Sequence, residues 1–350
     1  MRRSALALAT ALLAGVVGVV GAVPASAHTV TGVSPTNYRS EVVSVVPAVR
    51  GLRLRLLDLG RRVEVVNDTS TDVVVLGYEG EPYLRVGPSG VYENRRSPAV
   101  WLNRADAETE VGDAPPPSFD AAAPPSWRRT GDGQALRWRD RRTRWEGVDP
   151  PAVQASPERP HLVSQWTVEL RHTVPVTANG RIVWVPGPSA ATWLLTAVVL
   201  LGLTASLGWS RRWGPALAGA TAALVAVDAV HSISTAVASG GSVLAIVVAV
   251  VFGGFLSVMA WVAGVFAVGR LQREDEWGLW TAGVAALLIA LYSLSDATSL
   301  GRSQVSYAFP PATARAAVAA SLGIGLGLLV AVAAVLKRRF TPVPPNSPNR

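Results

Sequence analysis

The chain has 350 residues, of which 49% are hydrophobic and 16% are charged, so it is too apolar for an ordinary soluble domain and far too apolar for a disordered chain. The sequence contains no cysteine, which excludes a disulfide framework, a thiolate metal site and a cysteine nucleophile. The net charge of +8 does not indicate nucleic-acid binding, because residues 28–185 carry 20 Arg against 19 Asp and Glu. The surplus lies in the first three residues and beside hydrophobic runs, where membrane topology explains it.

The N-terminus has the pattern of a secretory signal peptide over residues 1–27. Arg2 and Arg3 precede an apolar stretch, which ends in Ala25-Ser26-Ala27. The alternative is an uncleaved anchor helix. Cleavage after Ala27 would make His28 the new N-terminus, where the α-amine and the imidazole of one residue can chelate a metal together.

Residues 28–187 are predicted to form an extracytoplasmic all-β domain. Short β-branched runs recur between turn residues, and Leu52-Arg53-Leu54-Arg55-Leu56 alternates as a half-exposed strand should. Asn179-Gly180 between two apolar runs predicts a hairpin turn. The strand number and spacing favour a β-sandwich, which we expect to be immunoglobulin-like.

Two segments interrupt this pattern. Residues 112–125 are rich in Pro and Ala and predict an exposed loop. Residues 126–145 contain seven arginines and three tryptophans. Three interpretations stay open for this Arg/Trp segment: strands that bury Trp and expose Arg, contact with anionic lipid or cell-wall polymer, or a ligand site.

The C-terminal half, residues 188–336, contains five apolar runs long enough to cross a bilayer, which predict a five-helix transmembrane bundle. Arginines lie after the first and third runs, and Lys337, Arg338 and Arg339 follow the fifth. The positive-inside rule then places the β domain outside the cytoplasm and the tail 337–350 inside. The predicted spans cover residues 190–209, 214–236, 242–268, 278–298 and 312–336.

Ionisable residues in these spans are the candidate functional residues, because burying them in lipid is costly. Asp228 and His231 are three residues apart and share a helix face. Asp228 is about 24 Å along the helix from Arg212, and Asp296 about 30 Å from Glu276, so all three are expected towards the outer side. They could bind copper or zinc, relay a proton, or make structural hydrogen bonds between helices.

The chain also resembles a family of uncharacterised actinobacterial membrane proteins with a signal peptide and an extracytoplasmic β domain. The resemblance is carried by Pro35–Tyr38, by Leu76–Val86 with Gly90–Asn94, by Trp138–Trp145 and by Trp184–Pro186. It implies five C-terminal transmembrane helices and no established activity. The family's segment equivalent to Trp138–Trp145 is often rich in histidine, whereas arginines stand there in this chain. The layout is also similar to copper-handling proteins whose secreted β domain begins with His.

No motif of a hydrolase, metalloprotease, phosphate-binding loop or dinucleotide fold is present in the sequence, so we predict that the protein is not an enzyme. The first hypothesis is a binding or accessory protein of the plasma membrane, with metal (copper or zinc) sites at His28, Asp228, His231 and Asp296. The alternatives are a proton- or metal-linked transport component and a structural envelope protein. The expected partners are membrane lipid and another envelope protein, with no nucleic acid.

Overall fold

The computed structural model describes residues 33–103 and 116–340. The predicted signal peptide, His28, the start of the 112–125 loop and the last ten residues lie outside the described residues. The described chain divides into two compact units. A β-rich unit contains Pro35–Gly187 together with Arg302–Ser306, and a helical unit contains the remainder.

The β-rich unit has two antiparallel sheets among the described residues, which confirms the mostly-β prediction for the N-terminal half. One sheet has the order β1-β10-β9-β4-β5-β6-β7 and the other the order β2-β3-β8. The strands are β1 Tyr38–Val46, β2 Leu52–Leu57, β3 Arg62–Asn67, β4 Val73–Leu76, β5 Pro82–Gly87, β6 Gly90–Asn94, β7 Trp127–Gly131, β8 Ala135–Arg139, β9 His161–Arg171 and β10 Pro175–Trp184.

Side chains of both sheets contribute to one buried apolar cluster. Val63 and Val65 come from β3 of the small sheet, and Val168 and Val176 come from the large one, all four being fully buried. Along strands such as β9, alternate residues (Trp166, Val168 and Leu170) belong to this cluster, as the period of two requires. Two short helices complete the unit, α1 (Pro98–Leu102) and α2 (Pro151–Ala155).

The prediction of a hairpin turn at Asn179-Gly180 is wrong. Both residues lie inside β10, paired with β9 on one side and β1 on the other. The reason is a close approach of Trp166, because a Cβ on Gly180 would lie 2.0 Å from its Cζ2 atom. Glycine here makes room for a core tryptophan in the neighbouring strand.

The helical unit contains six α-helices in the described chain. They are α3 Ala190–Ser206, α4 Trp213–Ala238, α5 Val243–Val248, α6 Phe255–Leu271, α7 Glu276–Ser295 and α8 Pro311–Phe340. Within the described residues, four helical stretches are long and apolar enough to cross a membrane, beginning at Ala190, Trp213, Glu276 and Pro311. This agrees with a multi-pass membrane protein.

The predicted third span is broken. Val243–Gly253 and Phe255–Leu271 meet at an angle of 79°, and the count of spans reaches five if this bent pair is one span. A π-helical stretch, Ala249–Gly253, precedes the break at Gly254. Consecutive glycines remove the side chains that would support a continuous helix, and π-helical turns are a usual site of kinks. Hydrophobicity alone had predicted one continuous span.

Glycines allow close helix packing in this unit. A Cβ on Gly323 of α8 would lie 2.5 Å from the carbonyl oxygen of Ala197 on α3. On α6, a Cβ at Gly264 would lie 2.4 Å from Val225 of α4. Gly219 of α4, by contrast, has no neighbour within 4 Å among the described residues.

Candidate functional site

The helical unit brings two of the predicted site residues together. His231 lies on α4, and Asp296 directly follows the last residue of α7. His231 Nε2 lies 3.1 Å from Asp296 Oδ2, within hydrogen-bond distance. Both residues are buried, with 9% and 8% of their surface exposed. If Asp296 is ionised, this hydrogen bond requires a proton on His231 Nε2, because a carboxylate only accepts and the imidazole must donate.

Asp228 makes a different interaction. It is 1% exposed, and its Oδ2 accepts a hydrogen bond of 2.7 Å from Nε1 of Trp261 on α6. Asp228 and His231 share a face of α4, as the spacing predicts, but the carboxylate faces one neighbouring helix while the imidazole reaches the end of another. In the described ranges, no three His, Asp or Glu side chains are grouped so that they could hold a metal ion.

The other ring nitrogen of His231 is the unpartnered atom of this site. His231 Nδ1 is buried and has no hydrogen-bond partner within the described part of the chain. The ring of Tyr307 lies over the imidazole, with centroids 5.4 Å apart and planes 30° apart. Such a nitrogen can accept a proton or bind a small donor, and a charged imidazole would remain beside the Asp296 carboxylate.

Two histidines of the β unit and one arginine of α8 have local partners. His172 Nε2 lies 3.1 Å from Thr69 Oγ1, and His161 Nε2 lies 2.8 Å from the carbonyl oxygen of Ser156. Arg315 of α8 is buried, and its Nε donates to the carbonyl oxygen of Ser299 at 3.3 Å. His28 lies outside the described residues, so its predicted metal site stays a prediction.

The Arg/Trp segment 126–145 contains a buried ion pair that the sequence analysis did not identify. Asp140 is fully buried and accepts hydrogen bonds from Trp138 Nε1 at 2.9 Å and from Arg142 Nε and Nη2 at 2.9 and 2.7 Å. Burial alone would lower the pKa of Arg142, but the hydrogen bonds to Asp140 and the negative charge of that carboxylate, with smaller contributions from Tyr78 and Tyr83, together outweigh burial and raise that pKa. The pair holds the segment in the β unit.

The same ion pair joins two of the segments on which the family resemblance rests, Leu76–Val86 and Trp138–Trp145. Tyr78 donates a hydrogen bond of 2.6 Å to Asn103 and accepts one of 3.1 Å from the backbone N–H of Arg141, while the Arg142 guanidinium lies 4.8 Å from its ring centre. Burial, and then the charge of Asp140, raises the pKa of the Tyr78 phenol above its usual range. These motif residues therefore form a polar network inside the β unit. The unusual density of Trp and Arg in residues 126–145 was the sequence signal for this network.

Comparison of the chain with protein-family models, with curated proteins and with solved structures gives no match.

Proposed function

We propose that this chain is a membrane-anchored binding or accessory protein, in which the β-rich unit captures a ligand or partner outside the cytoplasm and the helical unit anchors it. The observation that carries the proposal is the division of the chain into a β unit with its own buried core and a unit of apolar helices. The signal-peptide pattern and the positive charges beside the spans support this orientation. We propose in addition that the chain belongs to the family it resembles and that it has no enzymatic activity.

Two finer features belong to this proposal. We count the bent pair Val243–Leu271 as one span, because Val243–Gly253 is only about 16 Å long and cannot cross a core of about 30 Å by itself. Five spans then separate the β unit from the C-terminus. We also infer a β-sandwich, because both sheets bury side chains in one cluster. Its immunoglobulin-like topology stays a prediction.

The orientation can be tested by cysteine labelling, since the natural chain has no cysteine. Val148 is 83% exposed in the β unit, and Arg211 is exposed between α3 and α4. We expect Val148→Cys to react with a membrane-impermeant maleimide in intact cells, and Arg211→Cys to react only after permeabilisation.

The cysteine-free chain is the control for unspecific labelling. Reaction of Arg211→Cys, but not Val148→Cys, in intact cells would contradict the proposal. Labelling of both variants only after permeabilisation would contradict it as well.

A second candidate function is proton- or metal-linked transport. It is favoured by the buried His231–Asp296 pair together with a broken span in the same unit, because discontinuous helices and buried ionisable residues recur at the ion sites of membrane transporters. The pair offers an imidazole and a carboxylate to a copper or zinc ion. In the described residues Asp228 is not grouped with this pair, and its Oδ2 accepts the hydrogen bond from Trp261.

A further inference from the structure

The β unit contains a cleft between its α1 region and the start of β7. Its volume is about 400 Å³, which is within the range of small-molecule sites. It is lined by Glu93, Arg95, Arg96, Val100, Ser118, Phe119, Ser126 and Arg128. The lining therefore combines three guanidinium groups with one carboxylate, an aromatic ring and an aliphatic side chain.

The charges of the cleft do not balance. Arg128 Nη2 lies 2.7 Å from Glu93 Oε1, so the one carboxylate in the lining is already paired. Arg95 and Arg96 have no carboxylate partner among the described residues. Arg96 makes a single long contact of 3.5 Å from Nη1 to the carbonyl oxygen of Pro124. Within the described residues, the guanidinium groups of Arg95 and Arg96 are therefore not neutralised by an ion pair, and the lining of the cleft carries a net positive charge.

The backbone that carries these arginines is held in place by Asn94, which is 2% exposed. Asn94 Oδ1 accepts hydrogen bonds from the N–H groups of Arg96 at 3.2 Å and Ser126 at 2.8 Å, and its Nδ2 donates to the carbonyl oxygen of Pro82 at 2.7 Å. The N–H of Arg95 also donates to the carbonyl oxygen of Ser126 at 2.9 Å. The two sides of the cleft are therefore connected before any ligand arrives, which lowers the entropy lost on binding.

We propose that this cleft binds a small organic anion, with its carboxylate or phosphate group on Arg95 and Arg96 and its apolar part against Phe119 and Val100. Guanidinium groups bind both kinds of anion through paired N–H donors, and the aromatic ring favours a ligand with an apolar face. The inference rests on the proposed function, since it names the ligand class of the binding unit. Ser126 and Arg128 of the Arg/Trp segment line the same cleft.

The test is titration calorimetry of the purified full chain with phenyl phosphate and, separately, benzoate. We expect saturable binding of one or both, weakened by added salt. The double variant Arg95→Gln/Arg96→Gln should lose at least about tenfold in affinity, because it removes the charge-assisted hydrogen bonds to the anion. Phe119→Ala should weaken phenyl phosphate binding but leave the weaker binding of inorganic phosphate unchanged.

The matched control is Arg50→Gln, which removes an exposed arginine of the same unit that does not line the cleft. An equal loss in this control would show unspecific charge attraction and overturn the proposal. Absence of binding by the natural chain, or full binding by the double variant, would overturn it too. Cysteine labelling reports the orientation independently, so failure of the cleft and failure of the proposed function are distinguishable.

Discussion

At the scale of single residues, the charged groups of the β unit differ sharply in what they do. Asp140 is fully buried and accepts hydrogen bonds from Trp138 and Arg142, whereas the Asp132 side chain is 85% exposed and pairs with Arg129 at the surface. Removing one partner of a buried ion pair leaves the other charge buried and uncompensated, which destabilises the fold strongly. An exposed ion pair contributes little to the free energy of unfolding. Removing the carboxylate is therefore expected to lower the stability of the fold far more at Asp140 than at Asp132.

We predict that Asp140→Ala destabilises the β unit by about 3–5 kcal/mol, because it leaves the Arg142 guanidinium and the Trp138 N–H without their partner. The matched control Asp132→Ala should change the free energy of unfolding by no more than about 1 kcal/mol. Denaturant unfolding of the purified full chain, followed by tryptophan fluorescence, measures both. Equal effects of the two substitutions would contradict the assignment of Asp140 as the centre of the network.

At the scale of elements, the helical unit depends on close contacts between helix backbones. Gly323 and Gly327 of α8 face α3, where their missing side chains admit the carbonyl oxygens of Ala197 and Leu201. Helices in lipid gain little from burying apolar surface against each other, so their association relies on this kind of close packing. Gly202 of α3 has no neighbour within 4 Å among the described residues. It therefore provides an open position at which the same substitution can be compared.

We predict that Gly323→Val separates α3 from α8 and lowers the melting temperature of the detergent-purified protein, with a loss of about 1–3 kcal/mol from overpacking. Gly202→Val places the same side chain on α3 at an open position and should leave the melting temperature within error. The measurement is thermal unfolding followed by intrinsic tryptophan fluorescence. An unchanged melting temperature for Gly323→Val would contradict the close contact.

At the scale of the whole molecule, the functional question is what the buried His231–Asp296 pair does in a multi-pass membrane protein. Its unpartnered Nδ1 atom leaves the imidazole free to take up a proton or to bind a metal ion. The two functions differ in what the purified protein retains. Metal handling leaves a bound ion, whereas proton transfer leaves none.

We predict that the purified mature protein, which begins at His28, retains metal after equilibration with copper(II) or zinc and removal of excess ion, and that this metal is lost in His231→Ala or in His28→Ala. His172→Ala removes a histidine of the β unit and serves as the control. Metal analysis of the four proteins gives the result, and size-exclusion chromatography verifies that each variant is folded.

Absence of metal from every sample would contradict metal handling at both sites. Proton flux into liposomes that His231→Ala abolishes would then assign the pair to proton transfer. Retention of metal in both variants would place the ion elsewhere in the chain.

The sequence by itself determined the features that depend on local composition and periodicity. Runs of β-branched residues predicted strands, and long apolar runs predicted membrane-length helices close to those beginning at Ala190 and Pro311. Ionisable residues stand out in such runs, so His231 and Asp296 could be selected before their contact was known. These signals are local, because the preference of a residue for water, for lipid or for an extended backbone depends on that residue and on its near neighbours in the chain.

Only the tertiary structure decided which residues meet. The sequence placed Asp228 with His231, yet Trp261 of another helix binds the Asp228 carboxylate. Gly180 predicted a turn, yet Trp166 of a neighbouring strand requires a glycine there. Partners this far apart in the chain are selected by the shape and polarity of the folded core. A single sequence does not encode those contacts in any local pattern.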